Sequence, residues 1–368
     1  MVYKKGAKRR IFKITLGAIL ICLPILAFCL AAESQEIKKV PNIKLFGFSH
    51  IWARYDKTRG PNYGEDLTVA RARVGLRGDL VSNINYTVLT EWGRLTFNDP
   101  VTLLDAWVNF KVNPGLNIKI GQFWYMFTLS GTEILPKIPF IIRPEVIDGI
   151  WLPMGRKGSY GYDKGIEIRG NSEEGILPWG YIFSITTGTG LNKLEDNDKK
   201  DFAGRVWFEP LKGLRLGASG FRGWSRVEMT SDLGRMDKED ISEYAYGFEL
   251  SYNQKYFRII SEYLKAHYDG FLRQEGAEIF SLSTQKPWGW YAMFGWKPLP
   301  NIEIPVRYAW YENDSTMSDT GLSTVTLGLT WYIKGDNNIK FNYYIRDPEQ
   351  NYGSKLGNLI AVQAQVVF

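Results

Sequence analysis

From Thr324 to Phe368 the chain alternates between apolar and polar side chains with period two. Val325, Leu327, Leu329 and Trp331 share one parity, and Thr326, Gly328 and Thr330 the other. After the turn Lys334-Gly335-Asp336-Asn337-Asn338, Ile339, Phe341, Tyr343 and Ile345 oppose Lys340, Asn342, Tyr344 and Arg346. The last segment sets Ile360, Val362, Ala364, Val366 and Phe368 against Ala361, Gln363 and Gln365. Strict period two means strands whose two faces meet different surroundings. A soluble sandwich would bury the apolar face and wet the other. Here the polar face carries cations, amides and hydroxyls, and the apolar face has aromatics near its ends. That is the pattern of a transmembrane barrel with a wet lumen, whose strands of roughly ten residues turn their apolar face to lipid.

The pattern runs back through the chain. Sixteen strands are expected, at about 43–55, 67–78, 84–92, 102–112, 116–123, 165–170, 179–187, 202–208, 214–221, 243–252, 256–265, 288–297, 302–311, 324–332, 339–346 and 359–368. Short turns such as Asn113-Pro114-Gly115 and Asn253-Gln254-Lys255 alternate with longer connections at 188–201, 222–242, 266–287 and 347–358. An even strand number with alternating short and long connections fits an all-β, antiparallel transmembrane barrel over residues 43–368. After residue 32 no apolar run is long enough for a membrane helix.

Residues 1–32 read as a secretory signal peptide. Lys4, Lys5, Lys8, Arg9, Arg10 and Lys13 precede the apolar run Ile14 to Leu30, and Ala31-Ala32 close it. Residues 33–42 then form a short periplasmic segment. Cys22 and Cys29 leave with the signal, so the mature chain is expected to hold no disulfide and no cysteine metal site. The signal also explains the net charge of +6: six of the 45 cations lie in it, which leaves 39 against 39 acids. Bulk charge therefore names no partner and does not point to nucleic acid. The terminal Phe368 resembles the C-terminal signature of bacterial outer-membrane proteins, which implies the outer membrane, its lipid and the barrel-assembly machinery.

Residues 124–164 stand apart. They contain no convincing strand, four prolines (Pro136, Pro139, Pro144, Pro153) and the apolar Ile134, Leu135, Ile138, Phe140, Ile141 and Ile142. A loop that long in a compact fold is usually functional. Its apolar content implies that it folds back into the lumen after the fifth strand and constricts it.

Selecting anions in a water-filled pore takes cationic side chains on a narrow wall. Strand parity sets Arg71, Arg73 and Arg77 on one face, away from Ala70, Ala72, Val74 and Leu76. It also turns Lys111, Lys119, Arg169, Arg205, Arg215, Arg258, Arg307, Lys340 and Arg346 inward, against the acids Glu91, Asp105, Glu167, Glu249, Glu262 and Glu303. Arg169 with Glu167 and Arg258 with Glu262 are the candidate wall pairs. Loop residues Lys137, Arg143, Arg156 and Lys157 are further candidates. Trp107 and Trp207 fall inward, to pack beneath the loop or to form a stacking track. Trp288, Trp290, Phe294 and Trp296 fall outward, as do Tyr244, Tyr246, Phe248 and Tyr252, and read as girdle.

No catalytic or cofactor site is expected. His50 and His267 are isolated and give no metal spacing. A barrel hydrolase would need a nucleophile beside a rim histidine. Only His267 qualifies, near Asp269 and Ser281, without a supporting motif. The acidic runs Glu195 to Asp198 and Asp237 to Asp240 read as solvated loop tips.

Several runs carry a family resemblance: Ala70 to Gly78 (ARARVGLRG), Asp105 to Phe110 before Asn113-Pro114-Gly115, Ile118 to Phe123 (IKIGQF), Gly165 to Gly170, and Gly204 to Pro210. Val306-Arg307-Tyr308, Gly328 to Tyr332 and Val362 to Phe368 extend it. In order and spacing these resemble the phosphate-selective porin O and P family. The family's GQF segment usually continues into Pro-Phe, whereas Trp124-Tyr125-Met126-Phe127 follows here. The resemblance implies a sixteen-stranded homotrimeric barrel passing inorganic anions or small anionic solutes, phosphate or polyphosphate among them.

Overall fold

The structure is a computed structural model that describes residues 42–368, apart from 57–64, 94–100, 134, 151–160, 173–176, 231–235, 276–278 and 353–355. The signal peptide at 1–32, all of segment 33–42 except Asn42, and Ile134, Pro153, Arg156 and Lys157 lie outside the described residues.

The strands are β1 (Lys44–Asp56), β2 (Glu65–Val81), β3 (Ile84–Glu91), β4 (Thr102–Asn113), β5 (Leu116–Trp124) and β6 (Tyr162–Ser172). β7 (Trp179–Thr186), β8 (Asp201–Leu211), β9 (Leu214–Thr230), β10 (Met236–Asn253), β11 (Phe257–Glu275) and β12 (Ile279–Gln285) follow. The chain ends with β13 (Trp288–Leu299), β14 (Ile302–Glu312), β15 (Gly321–Lys334), β16 (Asn337–Pro348) and β17 (Leu359–Val367). Each pairs antiparallel with its neighbours, and β1 pairs with both β2 and β17, so the sheet closes without an edge. β12 and β13 are two halves of one wall strand, because both pair with β11, through Tyr268↔Gln285 and Lys265↔Trp288. Pro287 breaks the ladder between them by lacking an N–H, though its carbonyl still accepts from Ala266 N at 2.9 Å. The wall therefore has sixteen strands, as the alternation predicts.

The faces follow the expected parity. Leu327, Leu329, Trp331, Ile339, Phe341 and Ile345 are exposed, while Thr326, Thr330, Lys340, Asn342, Gln363 and Gln365 are buried. Trp290, Phe294, Trp296, Tyr244, Tyr246 and Phe248 are exposed on the outer face, whereas Trp288 and Tyr252 are half-buried. Where the ring closes, Gly47 and Phe368 exchange backbone hydrogen bonds of 2.9 and 3.1 Å, and the Phe368 ring covers Gly47.

Three expectations are corrected. Ala70 does not face outward: His50 pairs with Arg71 and Ile51 with Val69, so Ala70 is an extra residue in a bulge and is fully buried. A bulge switches parity, so Leu67 and Val69 face outward below it and Val74 and Leu76 above it. A second extra residue, Leu104, lies between Asp105↔Leu89 and Leu103↔Thr90. The connections at 222–242 and 266–287 are largely strand, because β9, β10, β11 and β12 run on into them. Asp237 to Asp240 accordingly belong to β10, not to a loop tip.

Candidate permeation site

Between β5 and β6 the chain forms helical turns at Leu129–Thr132 and Glu145–Ile150 and a tighter turn at Leu135–Lys137. Its apolar side chains are buried: Phe127, Phe140, Val146, Ile147 and Ile150 cluster with Ala245, Leu264, Tyr291 and Tyr311 of the wall. The backbone of this segment is held by the polar face of β11 to β17. Glu262 accepts from Leu129 N at 2.8 Å and Ser130 N at 2.9 Å, and Asn342 Oδ1 accepts from Ile141 N at 2.7 Å. In return Lys340 Nζ donates to Ile138 O at 2.7 Å, Arg307 to Ile142 O at 3.1 Å and Gln365 to Pro136 O at 3.0 Å. On the other side Thr128 N donates to Ser219 Oγ of β9 at 3.1 Å and Phe127 packs on Phe221, so the segment is held from β9 as well as from β11 to β17.

The cations named from the sequence do different things. Arg73 pairs with Glu91 at 2.8 Å and donates to the Tyr162 hydroxyl at 3.2 Å. Lys119 pairs with Glu167 at 2.9 Å, and Arg169 reaches the same carboxylate. Arg205 forks onto Glu249 of β10 at 2.9 and 3.0 Å and also meets Thr132 at 3.3 Å. Lys111 pairs with Asp79 at 3.1 Å near a short turn, and Arg215 lies 3.9 Å from Glu209. Arg143 is buried over the Trp124 ring at 5.2 Å, donating to Ser130 O at 3.3 Å. Arg71 lies 5.9 Å from the Trp52 ring centroid. Arg307, only 2% exposed, stacks on Phe140 at 4.5 Å and meets Thr326 at 3.3 Å. Arg77 and Lys137 are exposed and, among the described residues, make no ion pair. So Arg71, Arg73 and Arg77 share a strand but do not act as three equivalent guanidiniums.

The Arg169–Glu167 pair forms as expected, but Arg258 with Glu262 does not. Arg258 instead forks onto Glu303 at 2.6 and 2.9 Å, two strands away. Gly295 of β13 lies between them, and a Cβ there would come within 2.5 Å of the Glu303 carboxylate. The Arg205–Glu249 pair crosses Gly217 of β9 in the same manner, again with 2.5 Å to a Cβ. Glycine between a cation and an acid two strands apart lets the pair lie flat on the wall. Sequence reasoning missed this device, since its signal is a glycine of inward parity on the intervening strand.

Trp107 and Trp207 turn inward with cations on their rings. Lys119 Nζ lies 5.0 Å from the Trp107 centroid, and Arg205 and Arg215 lie 4.6 and 5.7 Å from Trp207. A cavity of about 600 Å3 opens beside Trp107, lined by Arg77, Lys119 and Arg169 from the wall and Lys137 from the loop.

In the loop itself, burial raises the Asp148 carboxyl to about 6 despite Arg143, with Glu145 adding to the rise and Arg71 and Arg307 opposing it. Burial likewise raises Glu133 and lowers Arg143. Asp148 and Glu133 escaped sequence reasoning, because a loop without a period gives no parity to read.

At the rim, His267 Nε2 meets Asp269 at 2.5 Å, and Ser242 Oγ donates to the same carboxylate. The acid bridges His267 and Ser242, and the side chain of Ser281 lies outside the described residues.

No protein-family model matches the chain, and no curated protein matches it. Solved structures do. An anion-selective porin from Comamonas acidovorans superposes with a TM-score of 0.63 at 13% identity, over 89% of this chain and 100% of that one. OmpF of Salmonella typhi, in complex with daunomycin, gives 0.61 at 12% identity, over 89% of this chain and 97% of that one. The trimer form of OmpT, an outer-membrane protein of Vibrio cholerae, gives 0.58 at 12%, over 90% of this chain and 100% of that one. The chain therefore has the closed antiparallel barrel fold of bacterial outer-membrane porins.

Proposed function

We propose that the chain is a water-filled channel of the outer membrane that favours small anions, with residues 125–150 folded into the lumen as its constriction. The observation that carries this reading is the pair Arg77 and Lys137. Both are exposed at one cavity, one on the wall and one on the loop, without a carboxylate partner among the described residues. Most other inward cations are neutralised by wall acids. Two uncompensated charges on facing sides of a narrow passage raise the local anion concentration. Phosphate, which the family resemblance suggests, is one such anion. In this reading residues 1–32 export the chain and three copies assemble in the membrane.

Conductance in planar bilayers tests it. Reversal potentials in a salt gradient should show anion preference, and phosphate added to chloride should reduce the current. Cation preference, or no conductance from folded protein, would overturn the reading. Native mass measurement should give three chains per particle.

A further inference from the structure

We infer that the cavity between β1–β5 and the Leu135–Lys137 turn binds a small organic monoanion with an aromatic body, of the benzoate class; this rests on the channel reading above. Its two uncompensated cations stand beside apolar surface. Arg77 lies 4.6 Å from the Phe46 ring centroid, and Phe46, Leu89, Trp107, Met126 and Leu135 all border the same space. A bare inorganic anion gains nothing from such walls and loses water against them. A planar carboxylate uses both features at once: its charge meets Arg77 or Lys137, and its ring lies on the apolar wall. Ring faces also attract cations, as Phe46 and Trp107 already do for Arg77 and Lys119.

The acids in the cavity narrow the choice. Asp105 of β4 and Asp336 of the β15–β16 turn both border the cavity. A second negative group on the solute would meet one of them, which favours one charge over two. About 600 Å3 falls within the range of small-molecule sites, roughly 300–1,000 Å3, and leaves water around a ligand of benzoate size. That suits a solute held briefly and released.

The test uses full-length mature protein and three probes: benzoate, acetate and inorganic phosphate. Benzoate should block chloride current at concentrations about tenfold lower than acetate or phosphate, a ratio equal to about 1.4 kcal/mol. Calorimetry on the detergent-solubilised protein should rank the three alike. Phe46→Asn should abolish the advantage of benzoate over acetate, and Arg77→Gln should weaken both. Equal block by benzoate and acetate, or tighter block by phosphate, overturns the inference and leaves the channel standing. Benzoate binding by a folded protein that conducts nothing would do the reverse.

Discussion

Arg73 and Glu91 are register partners across β2 and β3, joined at 2.8 Å and both buried. Glu91 is fixed further by Ala72 N at 2.7 Å and Gly93 N at 2.9 Å, and Arg73 by the Tyr162 hydroxyl. The pair ties the bulged strand β2 to β3 and to the start of β6. Its work is to hold the wall's shape, and its charge is largely cancelled.

Arg73→Gln should therefore lower barrel stability more than it alters ion preference. Removing one partner of a buried pair costs about 3–5 kcal/mol, and lumen water places this case toward the lower figure. Heat-induced loss of the folded band on electrophoresis should begin at lower temperature, with reversal potential close to wild type. A clear loss of anion preference at unchanged heat resistance would contradict this.

Arg77→Gln with Lys137→Gln should do the opposite. Neither side chain holds a carboxylate among the described residues, so heat resistance should match wild type. Anion over cation permeability should fall, because the two exposed charges at the cavity are gone. An unchanged reversal potential would exclude them as the selecting charges.

Strand order was legible because lipid on one side and water on the other impose period two on every wall strand. What period two does not encode is register. It set Arg71 and Arg73 on the polar face but gave no sign that Glu91 lies across from Arg73, nor that Ala70 is a bulge. It paired Arg258 with Glu262, four residues along one strand and about 13 Å apart by strand rise. The real partner, Glu303, lies two strands away over Gly295, in a contact set by strand register and not by sequence distance. The loop was legible as apolar and proline-rich, but not where each carboxylate in it would stand.

Asp148 should make the channel pH-dependent. Its carboxyl lies among Arg143, Arg71 and Arg307, with Glu145 nearby, and titrates at about 6, above the usual range because it is buried. The folded chain therefore holds this proton more tightly than the unfolded chain. Stability from this group is fully present below the ordinary carboxyl pKa and is lost as pH rises through about 6, on the order of 3 kcal/mol. Protonation also removes a negative charge from beside three arginines. Anion preference should thus rise as pH falls from about 8 to about 5, with a midpoint near 6 that Asp148→Asn abolishes. A profile unaffected by that substitution would show that another group titrates.

Glu262 tests whether the loop narrows the passage. Its carboxylate accepts from Leu129 N at 2.8 Å, Ser130 N at 2.9 Å and the Tyr291 hydroxyl at 2.6 Å, and so fastens the first helical turn of the loop to β11 and β13. Three donors converge on one ionised acceptor, and hydrogen bonds to charged groups contribute about 1.5–3 kcal/mol each. Glu262→Gln keeps the volume but replaces one acceptor oxygen with an NH2 group, which faces an N–H or O–H and repels it. At least one of the three bonds is lost, and the turn at Leu129–Thr132 loosens. The wall should stay intact, since Glu262 pairs with no wall cation among the described residues and Arg258 keeps Glu303. Single-channel conductance should rise and its noise increase, while the melting of the barrel changes little. Gly131→Pro would loosen the same turn from the loop side, because Gly131 N donates to Thr128 Oγ1 at 2.9 Å, and should give the same change in current. If both variants conduct as wild type does, without added noise, residues 125–150 do not restrict the flow of ions.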